Sequence, residues 1–156
     1  MKTLVAGFGN LLLGDDGFGA EVVRRFPVAE LPPQTELLEV GTGGFDLVLK
    51  LMDKYDRLIF VDAVKRNNEP GTLYVFDPTC DRHRALASER IDPHFTEPSR
   101  AMEMARRLDV LPAGLMFIGC EPLDCELRLG LSEKVEAAVP NAIREIQNLV
   151  GAYAAQ

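Results

Sequence analysis

The stretch Leu58-Ile59-Phe60-Val61-Asp62 decides the fold expected for this chain of 156 residues. Four consecutive apolar residues suit a strand that is covered on both faces, as in a parallel sheet flanked by helices. Asp62 ends this run, at the point where such a strand opens to solvent. Because an unpaired buried charge is costly, its carboxylate needs either a ligand or the amides of a neighbouring loop.

Strands and helices alternate on both sides of this run. The apolar patterns predict further strands over residues 4–6, 35–40, 72–76 and 115–118, and helices that begin near residues 17, 45, 96 and 132. Ser132 is expected to cap the last of these helices. The connection that leads to residues 72–76 is too short for a parallel crossover, so that strand is expected to be antiparallel or at an edge. The class is therefore α/β, with helices on both faces of a mostly parallel sheet. The length fits a single domain over residues 1–156.

Composition excludes several classes of partner. The formal net charge is −7, which argues against a nucleic acid or an anionic membrane surface as partner. The three cysteines are odd in number and form no CxxC pair, so a disulfide scaffold is not expected and a cytoplasmic location fits best. No apolar run approaches the roughly 20 residues needed to span a bilayer, so membrane insertion is not expected.

Polar residues gather where the predicted strands end. Ligands of such folds bind outside the carboxyl ends of the strands, and the residues expected there are Asn10, Asp15, Asp16, Gly41, Gly43, Gly44, Asp62, Cys120 and Glu121. Carboxylates that face one crevice indicate a cation or an acid/base pair. His94 is the other strong donor expected to join them. Two acids and one imidazole make an incomplete set of metal ligands, whose open positions suit water or a substrate.

Two of these features have competing interpretations. Asp16 could serve as the N-cap of the helix that follows it or as a ligand, and its position alone does not decide between the two. Gly7-x-Gly9 after a strand, with Glu39 as the ribose acid, invites a dinucleotide interpretation. However, the third glycine of that motif is replaced by Leu12, and the neighbouring carboxylates would repel a phosphate.

Several strings resemble one known family. The segment GFGNLLLGDDGFG, residues 7–19, is similar to the opening signature of the nickel–iron hydrogenase maturation endopeptidases. The similarity continues in order through GTGG at 41–44, FVDAV at 60–64, PGT at 70–72, DPH at 92–94, GCEP at 119–122 and LGLS at 129–132. It implies a three-layer α/β/α sandwich of the phosphorylase/hydrolase-like kind, with about five strands, and a cytoplasmic endopeptidase activity.

The resemblance also implies a site and a substrate. In that family an acid of the first loop, an Asp at the end of the third strand and a His bind the nickel of the substrate, and these map onto Asp16, Asp62 and His94 as catalytic and metal-binding residues. The implied substrate loops contain Asn10, Asp15, Gly41, Thr42 and Gly43. The implied partner is a hydrogenase large-subunit precursor, which loses its C-terminal extension after nickel insertion. The enzyme, expected to be a monomer, would hold no permanent cofactor.

Two alternatives use the same residues differently. A nickel-binding accessory protein without protease activity would use the same three ligands. However, three ligands of mixed type without a His-rich tract would bind nickel weakly. The second alternative is a dinucleotide-binding module.

If the chain is a hydrolase, water is its simplest nucleophile, because the HExxH and GxSxG motifs are both absent.

Overall fold

A computed structural model describes residues 1–41, 43–79 and 96–156 of the chain. Its centre is a five-stranded sheet. The strands are β1 (Thr3–Phe8), β2 (Thr35–Gly41), β3 (Arg57–Ala63), β4 (Leu73–Phe76) and β5 (Gly114–Cys120). Their order across the sheet is β2-β1-β3-β5-β4.

The sheet is parallel except at one edge. β1 pairs in parallel with β2 and β3, and β3 pairs in parallel with β5. β4 is antiparallel to β5 and forms the outer strand, so the prediction of an antiparallel or edge strand is confirmed. The register sets Val61 beside Gly7 and Asp62 beside Gly119. The parallel strands thus end together, at what we call the carboxyl edge of the sheet.

Helices cover both faces of the sheet. The helices are α1 (Phe18–Arg25), α2 (Phe45–Leu51), α3 (Thr96–Arg107) and α4 (Glu133–Ala154), with 3-10 turns at Gly14–Gly17 and Val28–Glu30. α1 and α4 share an apolar cluster with Ile59 and Val61, whereas α2 and α3 share the other cluster with Leu58 and Phe60. Because side chains alternate along β3, this strand contributes to both apolar clusters, one on each face of the sheet. The predicted three-layer α/β/α sandwich is confirmed.

Helix α1 touches the backbone of the sheet directly at one point, where Gly19 lies against Gly7. A Cβ atom added to Gly19 would overlap the carbonyl oxygens of Val61 and Phe8, and one added to Gly7 would overlap the carbonyl oxygen of Gly19. Only glycine permits backbones to come this close. This contact fixes both ends of the loop that joins β1 to α1, which carries the first candidate site residues.

None of the helices in the part of the chain that the structure describes is long and apolar enough to cross a bilayer.

Candidate active site

The loop that follows β1 is ordered by its own polar groups. The backbone amide of Asn10 donates a hydrogen bond to the Asp16 carboxylate (2.9 Å), and the Asn10 side-chain oxygen accepts one from the amide of Leu12 (2.9 Å). The N-cap of α1 is Gly17, and no side chain caps that helix. The N-cap interpretation of Asp16 is therefore wrong. Its half-buried carboxylate turns back toward its own loop at the carboxyl edge.

Asp62 lies at the end of β3 and is 5% exposed. One carboxylate oxygen accepts a hydrogen bond from the amide of Ala63 (2.8 Å). Because side chains alternate along a strand, Asp62 lies on the same face of the sheet as Leu58 and Phe60, the face that α2 and α3 cover. Asp62 is thus a buried acid at the carboxyl edge, close to the level at which the helices of that layer begin.

The glycine segment, residues 41–44 at the end of β2, borders the same edge of the sheet. The carbonyl oxygen of Gly41 accepts a hydrogen bond from the amide of Gly9 (3.1 Å), which joins this segment to the β1 loop. Gly41, Gly43 and Gly44 have φ values of 66°, 105° and 67°, a left-handed region that favours glycine. Among the described residues, a Cβ atom on Gly41 or Gly43 would meet nothing within 4 Å, so none of these residues fills the space beside this backbone. Thr42 lies outside the described residues.

Asp15 differs sharply from its neighbour Asp16, because its side chain is fully buried. Its carboxylate accepts hydrogen bonds from the amide of Leu123 (2.8 Å), the amide of Ser132 (2.6 Å) and the hydroxyl of Ser132 (2.7 Å). A guanidinium nitrogen of Arg128 lies 3.8 Å away. Asp15 therefore fastens the first loop to the segment between β5 and α4, a structural role that the sequence did not reveal.

Ser132 occupies the predicted N-cap position of α4, but it makes no side-chain cap hydrogen bond. Its hydroxyl donates to Asp15 instead. The expected capping function of Ser132 is thus wrong, because a buried carboxylate from a distant loop takes the hydrogen bond.

Glu121, directly after β5, is a third buried acid and is 2% exposed. Its carboxylate accepts hydrogen bonds from the amides of Arg66 (2.7 Å) and Asn68 (3.0 Å) and from the hydroxyl of Tyr74 (3.2 Å). These donors all belong to the connection between β3 and β4 or to β4 itself. Glu121 therefore holds in place the loop between β3 and β4, which begins just after Asp62.

The Cys120 thiol is buried and is not in a disulfide. Burial, with smaller contributions from the charges of Asp15 and Glu121, raises the pKa of this thiol to about 12. A thiol of that pKa is protonated at neutral pH and is a poor nucleophile. Cys120 therefore packs as a small apolar residue.

The structure places Asn10, Asp15, Asp16, Asp62 and the glycine segment at one edge of the sheet. The expected third ligand, His94, lies outside the described residues. Within residues 1–41, 43–79 and 96–156, no three His, Cys, Asp or Glu side chains form a group that could hold a metal ion.

Residues 20–149 match the family model HycI, described as hydrogenase maturation protease. The chain belongs to this family. It is 34% identical to the coenzyme F420 hydrogenase subunit delta of Methanothermobacter thermautotrophicus, over 96% of this chain and 95% of the relative. It is 31% identical to the hydrogenase 2 maturation protease of Escherichia coli, over 94% of this chain and 88% of the relative.

Solved structures agree with this assignment. The hydrogenase maturating endopeptidase HybD of Escherichia coli superposes with a TM-score of 0.77 at 31% identity, covering 94% of this chain and 90% of HybD. A hydrogenase 2 maturation peptidase from a Thaumarchaeota archaeon gives a TM-score of 0.69 at 33% identity, covering 97% and 99% of the two chains. The chain is thus a hydrogenase maturation protease, a peptide-bond hydrolase, as the resemblance implied.

The dinucleotide interpretation has no support in this geometry. Glu39, its expected ribose acid, forms a two-point ion pair with Arg24 of α1, with distances of 2.7 and 2.9 Å. The carboxylate of Asp16 lies in the loop where a pyrophosphate would sit, and like charges repel.

Proposed function

We propose that this enzyme removes the C-terminal extension of a nickel–iron hydrogenase large-subunit precursor, and that it recognises the nickel which the precursor holds. The observation that carries the proposal is the pairing of family membership with two acids, Asp16 and Asp62, at one edge of the sheet. In this proposal the enzyme acts in the cytoplasm as a monomer and holds no permanent cofactor.

Asp16, Asp62 and His94 are the proposed ligands of the substrate's nickel. Nickel accepts both carboxylate and imidazole ligands. The two acids differ in exposure. Asp16 is half-buried in a loop ordered by Asn10, whereas Asp62 is almost fully buried. His94 precedes α3 by two residues, and α3 leads to the start of β5 at the opposite edge. This connectivity supports His94 as the third ligand.

In this proposal, the enzyme recognises a loaded precursor by binding the nickel that the precursor holds. A precursor that carries the metal would gain three further ligands on docking, whereas a precursor without it would gain none. The metal can also polarise the scissile carbonyl group or a water molecule. Gly41 and Gly43 would let the substrate backbone approach closely, since no described residue fills the space beside them.

The decisive test compares nickel-loaded and nickel-free forms of a matched large-subunit precursor. The readout is loss of the C-terminal extension by intact mass. Cleavage of the loaded form alone is the expected result. Cleavage of both forms would retain the protease activity but overturn nickel recognition by Asp16, Asp62 and His94. Cleavage of neither form would overturn the proposed substrate.

A matched pair of variants tests the ligand role of Asp62. Asp62→Asn keeps an oxygen that can accept from the amide of Ala63, so the chain should fold, yet processing should be abolished. Asp53→Asn, at an exposed carboxylate, should process normally. Nickel titration of the isolated wild-type protein tests the alternative of a nickel-binding accessory protein. That alternative requires tight nickel binding in the absence of the precursor, whereas the proposed protease does not.

A further inference from the structure

Four leucines next to the proposed site are strongly exposed to solvent. Their exposed fractions are 56% for Leu12, 61% for Leu123, 84% for Leu127 and 77% for Leu129. Single exposed apolar residues are common on protein surfaces, but a group of them marks an interaction site. All four belong to the two segments that Asp15 joins.

Three of these leucines share one side of a short paired ribbon. The amide of Arg128 donates to the carbonyl oxygen of Leu12 (3.0 Å), and the amide of Gly14 donates to that of Arg128 (2.9 Å). Leu13 and Arg128 thus form a parallel bridge, and this register sets Leu12 beside Leu127 and Gly14 beside Leu129.

Alternation along the ribbon separates the leucines from Arg128. Leu127 and Leu129 lie on the side opposite to Arg128, whose guanidinium contacts the Asp124 carboxylate (2.9 Å) and approaches that of Asp15. The solvent-facing side, formed by Leu12, Leu127 and Leu129, is called the leucine strip here.

The leucine strip is held in a fixed relation to Asp16. Its second segment is tied to Asp15 through Leu123 and Ser132, and its first segment leads through Gly14 directly to Asp15 and Asp16. A surface that is ordered before binding loses less entropy when a partner docks. The strip is therefore a preformed extension of the proposed active site.

We propose that the leucine strip binds an apolar, extended segment of the precursor chain near the cleavage site and selects which precursor is processed. This inference rests on the proposed function. Three side chains are far too few for a stable contact between two copies of the enzyme, which takes some 20–30 residues on each side. The nearby acids Asp16, Asp124 and Glu126 disfavour an acidic segment.

The test measures processing of the nickel-loaded precursor by Leu127→Gln/Leu129→Gln. The variant should raise KM about tenfold or more, because it removes apolar surface from the contact, and should leave kcat unchanged. The matched control is Leu49→Gln/Met52→Gln, at the last turn and the C-cap of α2, where both residues are about half exposed. It should behave as the wild type. Leu12→Gln, on the other segment, should raise KM independently.

Three outcomes would overturn the inference. KM values equal to that of the wild type in both strip variants would show that the strip binds nothing during processing. A lower kcat with unchanged KM would assign these leucines to the geometry of the reaction instead of to binding. If the wild type itself fails to process the precursor, the proposed function fails, and the inference falls with it. Circular dichroism spectra of all variants confirm that each is folded.

Discussion

The carboxylate of Asp15 accepts two hydrogen bonds from a single residue, Ser132, through its amide at 2.6 Å and its hydroxyl at 2.7 Å. The two residues are 117 positions apart in the chain. Asp15 lies in the loop after the first strand, and Ser132 precedes the last helix. A buried, fully engaged charge thus joins the first and last parts of the fold beside the proposed site.

The first prediction concerns this link. Asp15→Asn should lower the free energy of unfolding by about 1–3 kcal/mol, because an amide nitrogen cannot accept the hydrogen bonds from Leu123 or Ser132. Urea unfolding followed by circular dichroism measures the change. Asp53→Asn removes an exposed carboxylate and should stay within about 0.5 kcal/mol of the wild type. Equal losses in the two variants would refute the structural role of Asp15.

A second prediction concerns the loop held by Glu121. Glu121→Gln should speed hydrogen exchange at the amides of Arg66 and Asn68 by about tenfold or more, since one acceptor oxygen is replaced by a donor. Exchange followed by mass spectrometry or NMR gives the rates. Tyr74→Phe removes the hydroxyl that donates to Glu121 and accepts from the Asn68 side chain. It keeps both carboxylate oxygens that accept from the two backbone amides, so these amides should stay protected. Unchanged protection in Glu121→Gln would show that the loop is held by other contacts.

The third prediction uses two glycines in opposite surroundings. Gly19→Ala should destabilise the protein by about 2–3 kcal/mol or prevent folding, because the added methyl group overlaps the carbonyl oxygens of β1 and β3. Gly151→Ala, in open space on α4, should stabilise it by about 0.5–1 kcal/mol through helix propensity. Thermal unfolding compares the two, and a tolerated Gly19→Ala would contradict the close packing of α1.

The fourth prediction concerns acid stability. Lys50 above all, with Lys2, lowers the pKa of Glu36 from 4.5 to about 2. A carboxylate with a depressed pKa in the folded state stabilises it above the unfolded pKa and loses this effect as the pH falls. Glu36→Gln should therefore be less stable than the wild type at pH 7, and the difference should shrink between about pH 4.5 and pH 2. A difference that does not vary with pH, in urea unfolding at several pH values, would exclude this linkage.

Much of the fold could be predicted because its signals are local. The apolar run before Asp62 indicates a doubly covered strand, and the short connection to β4 excludes a parallel crossover. The expected gathering of acids at the carboxyl edge follows from the same strand ends. These arguments need only the residues of each element and the rule that parallel strands end together.

The rest depends on contacts that no local pattern encodes. Ser132 carries every sign of a helix cap, yet its partner is a carboxylate from the other end of the chain. The leucine strip has no periodicity that would mark it, because its members come from two loops paired across the fold. The roles of Asp16, Asp62 and His94 stay predictions that the processing experiments address.

The contact of Gly7 with Gly19 has a consequence for how a precursor is captured. Because no side chain separates the two backbones at this point, the start of α1 is fitted closely to the sheet, and the loop that carries Asp16 is held at both ends. Under the proposed function, the adjustment on encounter would fall to the precursor, whose tail would give up most of the conformational freedom that association removes. Capture would be fastest for precursors whose tail is already extended when it reaches the enzyme.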